Sequence, residues 1–288
     1  MTEQDWLNCD DPWKMLDFLR CNPRQRRPRL FCCACIRHAP LGDGRKVWDL
    51  LTDERSRNAV DVAERYADDL ATRDDMEAAR RIAHRLADEV RDVALYAAAS
   101  PGRTDVAFTR FSIRNAVVTV MNRGGPTTKY DDAYAAQRKI CDFLRDIYGM
   151  LPIRSVLFDF SWASSTVVSL AEGIYQKGAF DRLPILADAL EDVGCTNQEI
   201  LGHCRGPGEH VRGCWVLDLL LGKELQPHDL QFNLSRLGDN RRLLLAVHRP
   251  TGICVEGVRT QEERLWFLKE RLTKDLTRKV WSEMCGTR

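Results

Sequence analysis

Residues 179–224, AFDRLPILADALEDVGCTNQEILGHCRGPGEHVRGCWVLDLLLGKE, constrain the fold more than any other stretch of the chain. Apolar residues recur at Leu183, Ile185, Leu186, Ala189, Leu190 and Val193, the spacing of a helix with one buried face. Asp181 stands where it can cap that helix. Pro184 falls in the first turn, where its missing N–H costs little. Gly194 is placed to stop the helix in a left-handed conformation. Thr196 or Asn197 can cap a second, shorter helix, with Glu199 positioned to complete a capping box from Thr196. Gly206-Pro207-Gly208 breaks the chain, and a third helix is expected to carry Val211, Cys214, Trp215, Leu217, Leu219, Leu220 and Leu221. Short turns between three such helices predict an antiparallel packed unit.

The same stretch concentrates metal-capable side chains: Cys195, His203, Cys204, His210 and Cys214. Zinc takes Cys and His, but the spacing contains neither C-x2-C nor H-x3-5-H. His203 and Cys204 are neighbours, so on a helix they point about 100° apart. A second group lies at Cys32, Cys33 and Cys35, where Cys32 and Cys35 can share a helix face. A zinc site would therefore draw on Cys32, Cys35, His203, Cys204 and His210. The default is small buried thiols with histidines bonded to loop carbonyls. Arg37 and His38 are the neighbours able to lower a thiol's pKa there.

Ahead of the first thiols runs RCNPRQRRPR, with Arg20, Arg24, Arg26, Arg27 and Arg29. Its two prolines argue against a regular helix interior. It reads either as a phosphate-binding arm for RNA or DNA, or as a solvated turn whose arginines pair with acidic helices. The formal net charge of +1 supplies no global attraction to nucleic acid or membrane.

Elsewhere the pattern is mainly helical. One short helix is expected over 6–19. Another starts at Thr52-Asp53 with Ala59, Val62, Ala63, Tyr66, Ala67 and Leu70 inward; the next opens at Thr72 with Met76, Ala79, Ile82, Ala83, Leu86 and Val90 inward. Helices are also expected over 105–121, with a strand as the alternative, over 128–148, and from the Ser164-Ser165 region to Lys177. No G-x-S-x-G surrounds those serines, so capping explains them. Asp159 and Asp181 could pair as carboxylates, but nothing in the sequence sets their separation. After Gly222 the character changes. Strands are expected over 230–237, 243–248 and 253–258, with a helix from Thr260 to about Trp281. The fold class is thus mainly α, with a multi-helix antiparallel domain over 1–225 and a small α+β unit, a three-stranded meander plus helix, over 226–288.

Two resemblances attach to these residues. LPILADALEDVGC with HCRGPGEHVRGCWVLDLLLGKE, together with WLNCDDPWKMLDFLR, RLFCCACIRH and WDLLTDERSRNAVDVAERYADDLAT, resembles an uncharacterised planctomycete-type bacterial protein family over about residues 1–225. The segment APLGDGRKV departs from it as an insertion or divergent turn. This resemblance implies no activity and carries over no functional residue. VHRPTGICVEG and RTQEERLWFLKERL are similar to the hairpin and following helix of the catalytic domain of peptide chain release factors. The GGQ loop that belongs before that hairpin is missing, so peptidyl-tRNA hydrolysis is not implied.

The sequence has no dinucleotide fingerprint, P-loop, H-E-x-x-H or nucleophile elbow. It has no apolar run long enough to span a bilayer and no apolar segment after its acidic start. Its 11 cysteines form an odd set, which argues for reduced thiols and a cytoplasmic location. The expectation is a non-catalytic intracellular interaction or scaffold protein with another protein as partner. The alternatives are an RNA- or DNA-associated protein, using the arginine-rich segment and the basic C-terminal helix, and a zinc-binding protein.

Overall fold

The computed structural model describes residues 1–19, 26–41, 44–90, 130–150, 152–223, 225–237, 241–259 and 265–285. The helix expected over 105–121 and the Thr260 cap lie outside them. Among the described residues there are eleven α-helices and one three-stranded antiparallel sheet followed by a C-terminal helix, as the patterning predicts. The chain divides into two compact units, one of residues 1–149 with 208–214, the other of residues 150–207 with 215–288. The change of character near residue 225 falls inside the second unit.

The first unit is helical. Helices α1 (Glu3–Asn8) and α2 (Pro12–Leu19) replace the single helix expected over 6–19. The break is made by Pro12, which cannot donate its N–H to a preceding turn, and by Asp11, whose Oδ1 accepts from the Trp13 N–H at 2.9 Å. Helix α3 (Arg26–His38) starts earlier than the prolines suggest, because Pro28 sits in the first turn, where no intrahelical N–H is required. Helix α4 (Glu54–Ala67) is capped by Asp53, which accepts from the Arg55 N–H at 2.8 Å. It ends before Leu70, which is exposed rather than inward-facing. Helix α5 (Arg73–Val90) opens on a reciprocal cap: Thr72 Oγ1 accepts from the Asp75 N–H at 3.1 Å, and Asp75 accepts from the Thr72 N–H at 2.8 Å. Helix α6 is Tyr130–Tyr148. Helix α3 packs against both α4 and α6, and α4 packs on α5. The core between them holds Trp6, Met15, Leu30, Phe31, Ile36, Ile140, Phe143, Leu144 and Ile147.

The second unit combines helices with the sheet. Helix α7 (Ser165–Lys177) is capped by Ser164, whose Oγ accepts from the Val167 N–H at 3.4 Å, and it ends at Gly178 in the left-handed region. Helix α8 (Leu183–Asp192) follows a short 3-10 turn instead of an Asp181 cap, and its Ile185 is exposed. Helix α9 (Gln198–Arg205) is capped by Asn197, which accepts from the Glu199 N–H at 2.9 Å. Helix α10 (Trp215–Leu220) is shorter than expected: Val211 and Cys214 precede it.

Strands β1 (Leu230–Arg236), β2 (Arg242–His248) and β3 (Cys254–Arg259) form a meander in the order β1-β2-β3. Alternation along β2 puts Leu244, Ala246 and His248 on one face. Helix α11 (Leu265–Cys285) lies on that face with Leu268, Leu272, Leu276 and Val280. Gly257 pairs with Leu244, and a Cβ on it would lie 2.9 Å from Leu268 Cδ1, so this glycine sets how closely α11 approaches the sheet.

Gly222 makes a tighter contact. Its φ is +58°, and a Cβ there would lie 2.5 Å from Trp281 Cδ2. Gly222→Ala is expected to combine backbone strain with a clash against the indole and to cost about 1–3 kcal/mol. Urea unfolding should show a lower midpoint than the natural chain, and an unchanged midpoint would refute the contact.

Candidate metal centre

Residues 208–214 form a strap that belongs to the first unit although both its neighbours in sequence belong to the second. Helical continuation back from Trp215 is blocked by Gly213, whose φ is +96°. This glycine lets the backbone lie against α3: a Cβ at 213 would fall 2.8 Å from Leu30 Cδ1. The third helix expected to include Val211 and Cys214 therefore yields to a non-helical run whose backbone finds partners in tertiary structure.

Charged side chains fasten the strap to four elements. Glu209 faces His38 Nδ1 of α3 at 3.0 Å, Lys139 Nζ of α6 at 3.0 Å, and Lys46 Nζ, just before a 3-10 turn over 47–50, at 3.5 Å. Burial works against ionising Glu209, yet Lys139 and the other cations hold its carboxyl below the ordinary range. Arg212 donates to Asp68 Oδ2 at 2.9 Å, while Arg26 donates to Asp68 Oδ1 at 2.9 Å. The Asp68 side chain has no solvent exposure, so these guanidinium groups replace its hydration. Arg37 of α3 also pairs with Glu64 at 2.6 Å and with Asp61, both on α4.

The middle of the strap meets Asp146. One carboxylate oxygen accepts the Val211 N–H at 2.8 Å, and the other lies 2.6 Å from His210 Nδ1. A carboxylate can only accept, so in the neutral imidazole Nδ1 carries the proton and Nε2 keeps the lone pair. This is the arrangement by which a carboxylate orients a metal-binding histidine. Asp146, His210 and Cys214 each offer a ligand atom, and these atoms lie within 4.8 Å of one another. Ligands of one tetrahedral zinc lie roughly 3.3–3.8 Å apart, as Zn–N and Zn–S lengths of about 2.0 and 2.3 Å require. His210 and Cys214 are thus within about 1 Å of the spacing one ion requires, with Asp146 behind the imidazole. Cys214 and Asp146 are 0% and 4% exposed, so these donor groups meet away from solvent.

Of the expected metal residues, His210 belongs to this group, and Cys32 and Cys35 do not. Cys32 and Cys35 lie buried along α3 beside Cys33, as the thiol-rich helix reading anticipated, and burial pushes the Cys33 and Cys35 thiols well up. A raised thiol pKa works against thiolate ligation or nucleophilic attack. His203 and Cys204 are on α9 of the second unit, where the His203 ring lies 5.2 Å from Trp215 and Cys204 is buried. Asp146 was missed. Its signal in the sequence is an acid three residues beyond Phe143 on the apolar side of α6; nothing linked it to a strap more than sixty residues away.

The arginines have mixed fates. Arg20 and Arg24 lie outside the described residues. Arg26 pairs with Asp68, and Arg27 and Arg29 are buried with their guanidinium groups over the rings of Tyr148 and Tyr66. Among the described residues no helix is long and apolar enough to cross a membrane. Comparison with family models, curated proteins and solved structures returns no match.

Two measurements probe the strap. Asp68→Ala leaves Arg26 and Arg212 without their shared carboxylate and should cost about 3–5 kcal/mol in urea unfolding; a loss under about 1 kcal/mol would contradict the buried pairing. His38 is held below the ordinary histidine range by burial, against the pull of Glu209. The unfolded chain therefore takes up this proton first, and stability present above about pH 6.5 is lost as pH falls through the folded value. The urea midpoint should drop from pH 7.5 to 5.5, and His38→Asn should flatten that drop.

Proposed function

We propose that this is a non-catalytic, metal-stabilised interaction protein, in which His210 and Cys214 ligate a transition-metal ion, Asp146 orients the imidazole, and the ion locks residues 208–214 onto the first unit. The observation that carries this reading is the convergence of a carboxylate, an imidazole and a thiol within 4.8 Å in a buried setting. Zinc suits that donor set, because it accepts nitrogen, sulfur and oxygen ligands without a redox change. His210 Nε2 and Cys214 Sγ would bind the ion, with Asp146 fixing the imidazole tautomer. The locked strap carries Glu209 and Arg212, so the ion's structural effect would extend to α3, α4 and α6. Cytoplasmic location and kinship with the planctomycete-type proteins belong to the same proposal.

An alternative, association with RNA or DNA, draws on Arg271, Lys274 and Arg278, which are exposed on one side of α11. Retention on heparin that falls steeply with salt would favour it.

Elemental analysis tests the metal reading. Chain purified without chelator and incubated with zinc should retain about one ion, and Cys214→Ser or His210→Ala should retain far less. With free zinc at about 100 times its Kd, the natural chain should gain roughly 2.7 kcal/mol of stability, and the variants should not. Substoichiometric zinc in the natural chain, or equal retention by all three proteins, would end the proposal.

A further inference from the structure

The second unit contains a cavity of about 340 Å³, within the size range of small-molecule sites. One wall is aromatic. Phe158 and Trp281 lie nearly parallel, at 17° with ring centroids 6.4 Å apart, and Phe160 meets both at steep angles, 5.4 Å from Phe158 and 5.7 Å from Trp281. These rings contact one another, so they present a continuous π surface on which a flat group can stack.

The polar part is narrow in its chemistry. Gln226 lines the cavity, but both ends of its amide are used: Oε1 accepts the Val156 N–H at 2.6 Å, and Nε2 donates to the Val156 carbonyl at 2.8 Å. It supports the wall and has little left for a guest. Asp229 accepts from Ser155 Oγ at 2.7 Å through Oδ1, and among the described residues its Oδ2 has no hydrogen-bond partner. His248 is 3% exposed and lines the same cavity. Its Nδ1 lies 2.9 Å from Thr251 Oγ1, and among the described residues its Nε2 has no hydrogen-bond partner. Burial also holds this imidazole below the ordinary range, against the pull of Asp229, which keeps it neutral near pH 7. The charge facing the cavity is then the carboxylate's, beside one buried imidazole nitrogen able to make a further hydrogen bond.

We propose that this cavity binds a planar aromatic cation, stacked on the Phe158–Trp281 wall with its N–H groups directed to Asp229. Ring stacking and cation–π attraction act on the flat part of such a ligand. A charge-assisted hydrogen bond acts on its cationic end. His248 Nε2 supplies a second polar contact that favours a nitrogen-bearing guest over a hydrocarbon. The site goes beyond the metal reading and lies in the other unit, so either can fail without the other.

Benzamidine is the probe, because it joins a flat ring to an amidinium that can bond a carboxylate with two N–H groups. With the full chain, NMR titration should show saturable binding that shifts the Trp281 indole resonance, identified by its loss in Trp281→Phe. Toluene keeps the ring without the charge, cyclohexanecarboxamidine keeps the charge without the plane, and benzoate reverses the charge; each should bind at least about tenfold more weakly. Asp229→Asn should weaken benzamidine about tenfold or more. Ser155→Ala removes the same internal hydrogen bond but keeps the carboxylate, and should bind as the natural chain does. The proposal is overturned by an absence of saturation, by toluene or benzoate binding as well as benzamidine, or by equal weakening in the two variants.

Discussion

The Asp146 carboxylate is the interaction on which the first unit's closure depends. It is buried, it accepts the Val211 N–H, and it orients His210, so one side chain satisfies both the backbone and the imidazole of a strap with no regular secondary structure. Buried backbone groups outside helices and sheets need such partners. Glu209 and Arg212 then spread the attachment over α3, α4, α6 and the segment before the 3-10 turn. This is a buried electrostatic network. Removing one member leaves others desolvated, so its parts are worth more together than a count of ion pairs suggests.

Much of the secondary structure was legible because it is local. Periodicity marked α4, α5, α6 and α8, Thr72 and Ser164 capped as their side-chain chemistry requires, and the strands fall within one residue of expectation. The candidate site was only half legible. His210 stood out as an imidazole among cysteines, whereas Asp146 looked like one more acid on an amphipathic helix. What brings them together is a contact across 64 positions of chain, and no pattern of period 2 or 3.6 encodes it. The helix expected through Val211 failed for a related reason. Apolar spacing continued there, but the glycine at 213 adopts a left-handed conformation and lies against Leu30.

The two units manage polarity differently. In the first, arginines are drawn inward over Tyr148 and Tyr66 and against Asp68, so charge belongs to the packing. In the second, the sheet and α11 enclose an aliphatic layer, and charged and polar groups gather around a space ringed by aromatic side chains. The first arrangement suits a rigid attachment, the second a guest.

The strap also bears on the order in which the protein can be made. The first unit is interrupted in sequence: residues 150–207 must leave the ribosome before 208–214 can return to it. At about 5–20 residues per second, that interval lasts roughly 3–13 s. Throughout it Asp68 has Arg26 but not Arg212, and Asp146 has neither the strap's amide nor its imidazole. Final closure of the first unit is therefore timed by synthesis of a distant piece of chain.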